Sequence, residues 1–202
     1  RKLFIGKNKR LKKMKLKFEY SIPFDRLFTI MAMNEYSDIQ KDEVEDYIFN
    51  LENSWKKQEK GIMSQIEKAA NLKFKAKELS CYIVKDMADM AISHPLTLKL
   101  EKNLERANIV LMHELIHVLF VQNKKSEKLL EYLARKYPDK DLYFRGHLPL
   151  FIVQRKVIEN IYGKAYFNKV LKDELKLEEG YIWETANNLY PKFKEFWRGR
   201  TD

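Results

Sequence analysis

A nearly uninterrupted run of apolar residues from Ile109 to Val121 limits how this chain can fold more than any other feature. Three polar residues interrupt it, His113, Glu114 and His117, and no proline does. The run is shorter than the roughly 20 residues that cross a bilayer, so we expect a helix in a protein core. Burying a carboxyl and two imidazoles is costly without partners, so the fold must bring partners to this helix.

The spacing of these polar residues predicts a metal site. Residues four apart share a helix face, so His113 and His117 can point their imidazoles at one position. Two neutral imidazoles suit Zn²⁺, and Glu114 is close enough to reach a water at the metal without being a ligand. The H-E-x-x-H spacing therefore predicts zinc, with Glu114 as general base. The alternative is two ordinary helix histidines with Glu114 as an ion-pair partner.

The first half of the chain mixes strand and helix signals. Alternating apolar and polar residues predict strands at 13–22, 72–84 and 91–100. The last of these, "AISHPLTLKL", is expected at a sheet edge because Pro95 cannot donate to a ladder. One short helix is expected at 24–33, and one long helix from caps at Ser37 or Asp38 to Ala70, closed by Asn71.

Almost all signals after Asn103 are helical. Asn103 is expected to cap a helix that runs to about Val121, and Ser126 to cap another that ends before Pro138. A third helix is expected from His147 to Tyr162, with Pro149 in its first turn and Gly163 at its end. Two more are expected over 164–197, with a break near Gly180.

These segments predict an α+β fold with a small mixed or antiparallel sheet. We expect an N-terminal α+β lobe at 1–102 with a basic N-terminal segment, and a helical lobe at 103–202. The H-E-x-x-H helix lies at their junction, and the two lobes are expected to form one unit.

Charge and cysteine content bear on partners and compartment. The formal net charge of +10 is carried by lysines spread along the chain, with one dense basic run at 1–17, a pattern typical of a solvated surface. Nucleic acid is therefore not the expected partner, and the short apolar runs argue against a membrane. Cys81 is the only cysteine, so no internal disulfide can form, and a cytoplasmic location is expected. The chain does not begin with Met, so residues upstream of Arg1 are expected to be missing.

The residues around the motif carry a resemblance to a known superfamily. Val110 stands three residues before His113, and uncharged residues surround the motif, so the segment resembles the active-site helix of the zincin metallopeptidases. The resemblance implies a mixed sheet above the helix, further helices below it, and a peptide or protein substrate in the cleft between them. It also implies that an edge strand holds the substrate by strand addition, for which 91–100 is in the right place.

The third metal ligand is left open by this resemblance. "VLFVQN" follows His117 without the Gly and third His of the metzincins, and no Glu-x-x-x-Asp of the thermolysin-like kind follows either. His147 is the first candidate, because the helix after Ser126 can turn the chain back towards the motif. Glu179 is the alternative, since "LEEGYIW" is similar to the Asn-Glu-Gly-Phe stretch of zincin aminopeptidases. Its neighbours Glu178 and Glu184 are weaker candidates.

The expected activity is hydrolysis of a peptide or amide bond by a metal-activated water, with Glu114 moving the proton. Tyr143, four residues before His147, is a candidate donor to the developing oxyanion. His94 is expected at the surface. Two alternatives remain: a zincin-like metal-binding protein without peptidase activity, and a basic protein associated with nucleic acid. The sequence does not predict the substrate or the oligomeric state.

Overall fold

A four-stranded mixed sheet forms the first part of the fold in this computed structural model, which describes residues 14–37, 40–88 and 91–192. The strands of the described chain are β1 (Lys15–Tyr20), β2 (Glu78–Val84), β3 (Ala91–Ser93) and β4 (Leu96–Lys99). Their order is β1-β2-β4-β3. Strands β1 and β4 pair parallel to β2, whereas β3 pairs antiparallel to β4 and forms one edge.

Helices make up most of the remaining described residues, which confirms the α+β prediction. They are α1 (Ile22–Met31), α2 (Gln40–Lys56), α3 (Glu59–Ala70), α4 (Leu104–Val121), α5 (Lys125–Lys136), α6 (Leu142–Tyr162), α7 (Lys164–Glu174) and α8 (Gly180–Leu189), followed by a 3₁₀ turn at Tyr190–Lys192.

Helix α4 lies at the centre of the molecule. Its Leu111, Met112, Leu115 and Leu119 side chains are all 0% exposed. The helix packs against β3 and β4 and against α2, α3, α5 and α6. The expectation of a buried helix is thus confirmed, and one hydrophobic cluster joins sheet and helices. The division into lobes at 1–102 and 103–202 stays a prediction.

Polar side chains hold both ends of the helix that carries the motif. The Asn103 side chain accepts hydrogen bonds from the amides of Glu105 and Arg106 at 2.9 and 3.2 Å, which confirms the predicted start of α4. At the far end, Gln122 accepts hydrogen bonds from the amides of Lys75 and Ala76 and so ties the chain before β2 to α4.

The long helix predicted from residue 37 to Ala70 is wrong as a single element. It is divided into α2 and α3 between Lys56 and Glu59. The two parts pack on different partners, since α2 contacts β1 and α4 while α3 contacts α6 as well as α4. Asn71 closes α3 in the left-handed conformation, as expected. Asp38, one of the proposed caps, lies outside the described residues, as do 1–13, including most of the basic run.

All three strand predictions were too long. The first, at 13–22, extends past the end of β1 at Tyr20 into α1, which begins at Ile22. Strand β2 occupies only the second half of 72–84, because the amides before it bond to Gln122 rather than to a strand. The segment 91–100 is a hairpin of β3 and β4, with His94 and Pro95 in the turn. Pro95 lies where no ladder donor is needed, and of the two hairpin strands β3 is at the edge of the sheet while β4 is inside it.

Two helix starts were also wrong. Helix α5 begins at Lys125, and the Ser126 hydroxyl donates to the carbonyls of Phe120 and Asn123 instead of capping the helix. Helix α6 begins at Leu142, capped by Asp141, whose carboxylate accepts from the Phe144 amide at 2.7 Å.

This earlier start places His147 in the second turn of α6 and makes Pro149 an interior residue rather than a first-turn one. Gly163 ends the helix with a φ of 86°, as predicted. The break near Gly180 is confirmed as well, since α7 ends at Glu174 and α8 begins at Gly180. Residues 193–197, at the end of the last predicted helix, lie outside the described residues.

Candidate metal centre

Helix α4 brings the two histidines of the motif together, as their spacing predicts. The Nε2 atoms of His113 and His117 are 3.2 Å apart. A tetrahedral zinc ion with bonds of about 2.0–2.1 Å holds two ligand nitrogens roughly 3.3 Å apart. The separation therefore fits two ligands of one ion, and it also fits a hydrogen bond between the two rings.

Helix α6 adds the third imidazole. The ring centre of His147 lies 5.5 Å from that of His113 and 4.8 Å from that of His117. One ligand atom from each of the three side chains lies within 4.8 Å of the other two, and this is the one such group of three found among the described His, Cys, Asp and Glu residues. The sequence left two candidates for the third ligand beside His113 and His117, and the structure brings His147 rather than Glu179 into this group.

Two of the rings are held by hydrogen bonds at their outer nitrogens. The Nδ1 atom of His113 is 3.1 Å from Oε1 of Gln154, which is only 3% exposed. The Nδ1 atom of His147 is 2.9 Å from the carbonyl oxygen of Tyr143. Because both oxygens accept, both Nδ1 atoms carry the proton and each Nε2 keeps its lone pair for a cation.

Burial keeps all three imidazoles neutral. It lowers the pKa of His113 well below its usual value, and the neighbouring His117 and His147 add to that effect. It lowers the pKa of His117 to about 3 and also lowers the pKa of His147, although the Tyr143 carbonyl and Glu179 oppose the latter shift. Neutral imidazole is the form that binds metals, so the ligand nitrogens are available at pH 7.

Glu114 lies beside the three histidines without joining them. Its side chain is 7% exposed and lines the same cleft. Burial raises the pKa of this carboxyl to about 7. A carboxyl with a pKa near neutrality can accept and release a proton at pH 7, as general acid–base chemistry requires.

The cleft above the histidines is open and has a volume of about 660 Å³. Its walls include the edge strand β3, Tyr143, Glu179 and all four histidines of the chain. His94 is exposed at the β3–β4 turn, with its Nδ1 atom 3.3 Å from the Ser93 hydroxyl, which confirms its predicted surface position. It is not part of the group of three.

Tyr143 and Glu179 form a pair within this cleft. The Tyr143 ring stacks on His147 with ring centres 4.0 Å apart, and its hydroxyl donates to Oε1 of Glu179 at 2.5 Å. Tyr143 therefore directs its proton to Glu179 in this arrangement, and its role as an oxyanion donor stays a prediction. Glu179, the alternative third ligand, lies before α8 and outside the histidine group, and Glu178 and Glu184 are exposed.

Three residues that line the cleft were not predicted from the sequence. Gln154 interrupts the apolar run of α6 two turns after His147, and that interruption was a usable signal. Arg106 precedes His113 by two turns on the same face of α4, so its spacing was also available. Glu174 comes from α7, where burial raises its pKa and Arg106 opposes the shift. No sequence pattern linked it to this site.

Comparison of the sequence with protein-family models and with curated proteins, and of the fold with solved structures, gave no match. No helix in the described part of the chain combines the length and apolarity that a membrane crossing requires.

Proposed function

We propose that this protein is a zinc-dependent hydrolase of peptide or amide bonds with a zincin-type active site. The main support is the geometry of His113, His117 and His147, whose neutral imidazoles converge beside the buried Glu114 in an open cleft. Three imidazoles with room for a fourth ligand are a donor set typical of catalytic zinc. Copper, iron and nickel also bind imidazole, so zinc itself belongs to the proposal.

Each residue of the cleft has a role in this proposal. A zinc ion on the three histidines would supply Lewis-acid chemistry that activates a water and polarises a carbonyl. Glu114 takes a proton from the attacking water and delivers it to the leaving nitrogen. Gln154 and the Tyr143 carbonyl hold the rings of His113 and His147 in the orientation that ligation needs.

The edge strand supplies a way to hold the substrate. One side of β3 pairs with β4, and residues 91–93 also line the cleft beside α4. An extended peptide added to the side of β3 that no strand of the described chain occupies would run past the histidines. We therefore propose a peptide or protein substrate. We also propose a cytoplasmic location, which rests on the single cysteine, Cys81, being a buried free thiol.

A metal-binding protein without peptidase activity is the second candidate. The observation in its favour is the Tyr143–Glu179 hydrogen bond, which turns the nearest phenol away from a developing oxyanion. Both candidate functions require a bound metal, but only the hydrolase would turn over a peptide substrate.

Elemental analysis of purified protein without a histidine tag tests the metal site. We expect about one zinc per chain, strongly reduced in His113→Ala and His147→Ala. His94→Ala is the matched control, since His94 is in the same cleft but outside the group of three, and this variant should keep the metal. Loss of zinc in Glu179→Ala but not in His147→Ala would identify Glu179, rather than His147, as the third metal ligand. Protein that takes up no metal even after zinc addition would overturn the proposal.

Glu114→Gln separates catalysis from metal binding. The amide keeps the size of the side chain but cannot take a proton from water, so we expect full zinc content and a loss of peptidase turnover of 10²-fold or more, on the order expected for general acid–base catalysis. Cleavage of a peptide library, followed by mass spectrometry, measures this. Loss of zinc in this variant would contradict the role assigned to Glu114. A zinc-loaded wild-type protein that cleaves no peptide would favour the second candidate.

A further inference from the structure

An open groove with a volume of about 850 Å³ lies between strand β1 and helix α2. Strand β1 is the edge of the described sheet opposite to β3. The apolar part of the groove comes from the end of β1, the start of α1 and one side of α2, namely Phe18, Tyr20, Ile22, Pro23, Ile48 and Phe49. None of the residues that line this groove also lines the cleft at the histidines. A molecule bound in the groove would therefore be separate from the candidate metal centre.

Helix α1 extends this apolar surface because its polar side faces inward. Asp25 and Thr29 are both 0% exposed. The Asp25 carboxylate accepts hydrogen bonds from the Tyr20 hydroxyl at 2.8 Å and the Gln40 side chain at 2.7 Å, which holds that side of the helix against the fold. The opposite side begins one turn after Pro23, a residue of the groove, and leaves apolar side chains in water: Leu27, Ile30 and Met31. We call the groove and this side of α1 together the docking surface.

Exposed apolar side chains are concentrated at the docking surface. Thirteen large hydrophobic residues of the described chain are exposed, and six of them lie on or directly beside this surface: Ile22, Leu27, Ile30, Met31, Met33 and Phe49. Phe49, on α2, is 67% exposed although it lines the groove. Neighbouring apolar groups left in contact with water in this way indicate a place where another molecule binds.

The charge around the docking surface favours a basic partner. The groove is lined by three acidic residues and one basic residue, namely Glu19, Glu45, Glu52 and Lys41. The stretch 19–56, which forms the surface, has nine acidic and three basic residues and so a net charge of −6, whereas the whole chain has +10. A second copy that presented the same surface would bring acidic side chains together, while a basic segment would be attracted.

The acidic side chains of the groove remain available to such a partner. The ammonium group of Lys41 is 3.8 Å from the Glu45 carboxylate, and that of Lys56 is 3.0 Å from the Glu52 carboxylate. In both pairs the side chains are exposed to water. Exposed pairs of this kind contribute little to stability, so a cation of a bound partner can replace the lysine at low cost.

We propose that the docking surface binds a basic segment of a partner protein. Its Lys or Arg side chains would meet the acidic groups of the groove, and its aliphatic or aromatic side chains would cover Phe49 and the exposed side of α1. One side of β1 is occupied by no strand of the described chain, so an extended segment can add to it as a further strand. This proposal does not depend on the proposed hydrolase, because groove and cleft share no lining residue.

Fluorescence anisotropy of labelled peptides, added to the whole chain, measures this binding. The probe is the peptide Lys-Leu-Lys-Phe-Lys-Leu-Lys, and two comparison peptides replace either every Lys by Glu or every Leu and Phe by Ser. The probe should bind at least about tenfold more tightly than either comparison peptide, and its affinity should fall as salt is added. Mass spectrometry of the recovered probe checks that it stays intact. Equal binding of the probe and either comparison peptide would overturn the proposal.

Reversing the charge of the groove tests where the probe binds. Glu45→Lys combined with Glu52→Lys places cations opposite the cations of the probe, so affinity should fall at least about tenfold. The matched control is Glu127→Lys combined with Glu131→Lys, which changes the net charge equally at two exposed positions of α5. Probe affinity in this control should stay within about twofold of wild type. The same loss in both double variants would reduce the effect to net charge and overturn the proposal.

The apolar contact has its own test. Phe49→Ala removes an exposed ring of the groove, so the fold should be retained while probe affinity falls at least about fivefold. Val121→Ala is the control, since Val121 is 70% exposed on α4 and does not line the groove. Unchanged affinity in Phe49→Ala would overturn the proposal.

Sedimentation of the wild-type chain without peptide separates a partner protein from a second copy. We expect a monomer at every concentration. Self-association that the Glu45→Lys, Glu52→Lys variant abolishes would show that a second copy occupies the surface and would overturn the assignment to another protein. Probe binding by a chain that takes up no zinc or cleaves no peptide would support the docking surface while contradicting the hydrolase.

Discussion

At His113 the two ring nitrogens have different neighbours, and this difference decides what the residue can do. Nδ1 faces the Gln154 oxygen at 3.1 Å, while Nε2 faces His117 at 3.2 Å. The acceptor at Nδ1 fixes the tautomer and leaves the Nε2 lone pair directed at the other histidines. In the proposed site, Gln154 is therefore a positioning residue that would act on a bound metal through His113.

Replacing Gln154 tests this role. Gln154→Leu keeps the volume but removes the acceptor, so we expect zinc affinity to fall about 10- to 100-fold. Gln154→Glu keeps an acceptor oxygen and should recover much of the affinity. Competition with a fluorescent zinc chelator gives the dissociation constants. Equal zinc affinity in Gln154→Leu and wild type would show that the hydrogen bond has no influence on the metal.

At the scale of elements, the site depends on how two helices begin. The Asp141 carboxylate caps α6, and His147 lies only in its second turn. Asn103 caps α4 in the same way, but His113 lies about three turns further along that helix. Fraying of the first turn should therefore displace His147 much more than His113.

Removing each cap tests this difference. Asp141→Ala and Asn103→Ala should each lower the free energy of unfolding by about 1 kcal/mol, a fall in Tm of about 2–4 °C for a chain of this size. Only Asp141→Ala should also weaken zinc binding, because only His147 is near the lost cap. Thermal unfolding followed by circular dichroism and zinc titration measure the two effects. The same loss of affinity in both variants would instead point to a general effect of stability.

At the scale of the whole molecule, a metal at this centre would join two helices that come from separate parts of the chain. Helix α4 supplies His113 and His117, and α6 supplies His147, with α5 between them in sequence. Binding at such a site stabilises the folded state, because the unfolded chain does not hold the three nitrogens together.

Zinc should therefore raise the thermal stability of the wild-type protein. At free zinc of about 100 times the dissociation constant, the gain is about 2.7 kcal/mol, equivalent to a rise in Tm of roughly 5–10 °C. Chelation by EDTA should reverse it, His147→Ala should show almost none of it, and His94→Ala should show all of it. Differential scanning calorimetry measures these shifts. A rise of the same size in His147→Ala would place the stabilising ion elsewhere.

The sequence by itself determined the parts of this protein that depend on neighbours along the chain. The cap at Asn103, the extent of α4 and the shared face of His113 and His117 follow from helical periodicity and a local hydrogen bond. For the third metal ligand the sequence offered both His147 and Glu179. It could not choose between them, because the position of each depends on how distant helices pack. Where two local signals compete, the sequence can predict the wrong helix start. Pro149 favours a first-turn position and a start at His147, but the Asp141 cap starts α6 at Leu142.

The tertiary structure alone decided how these local parts meet. It brought His147 rather than Glu179 into the histidine group, placed Gln154 behind His113, and paired Tyr143 with Glu179. It also left a cavity of about 310 Å³ between α4, α5 and α6, whose walls come from separate stretches of the sequence. The physical reason is that these contacts arise from packing around the buried surface of α4, where shape and burial across the whole core select the neighbours.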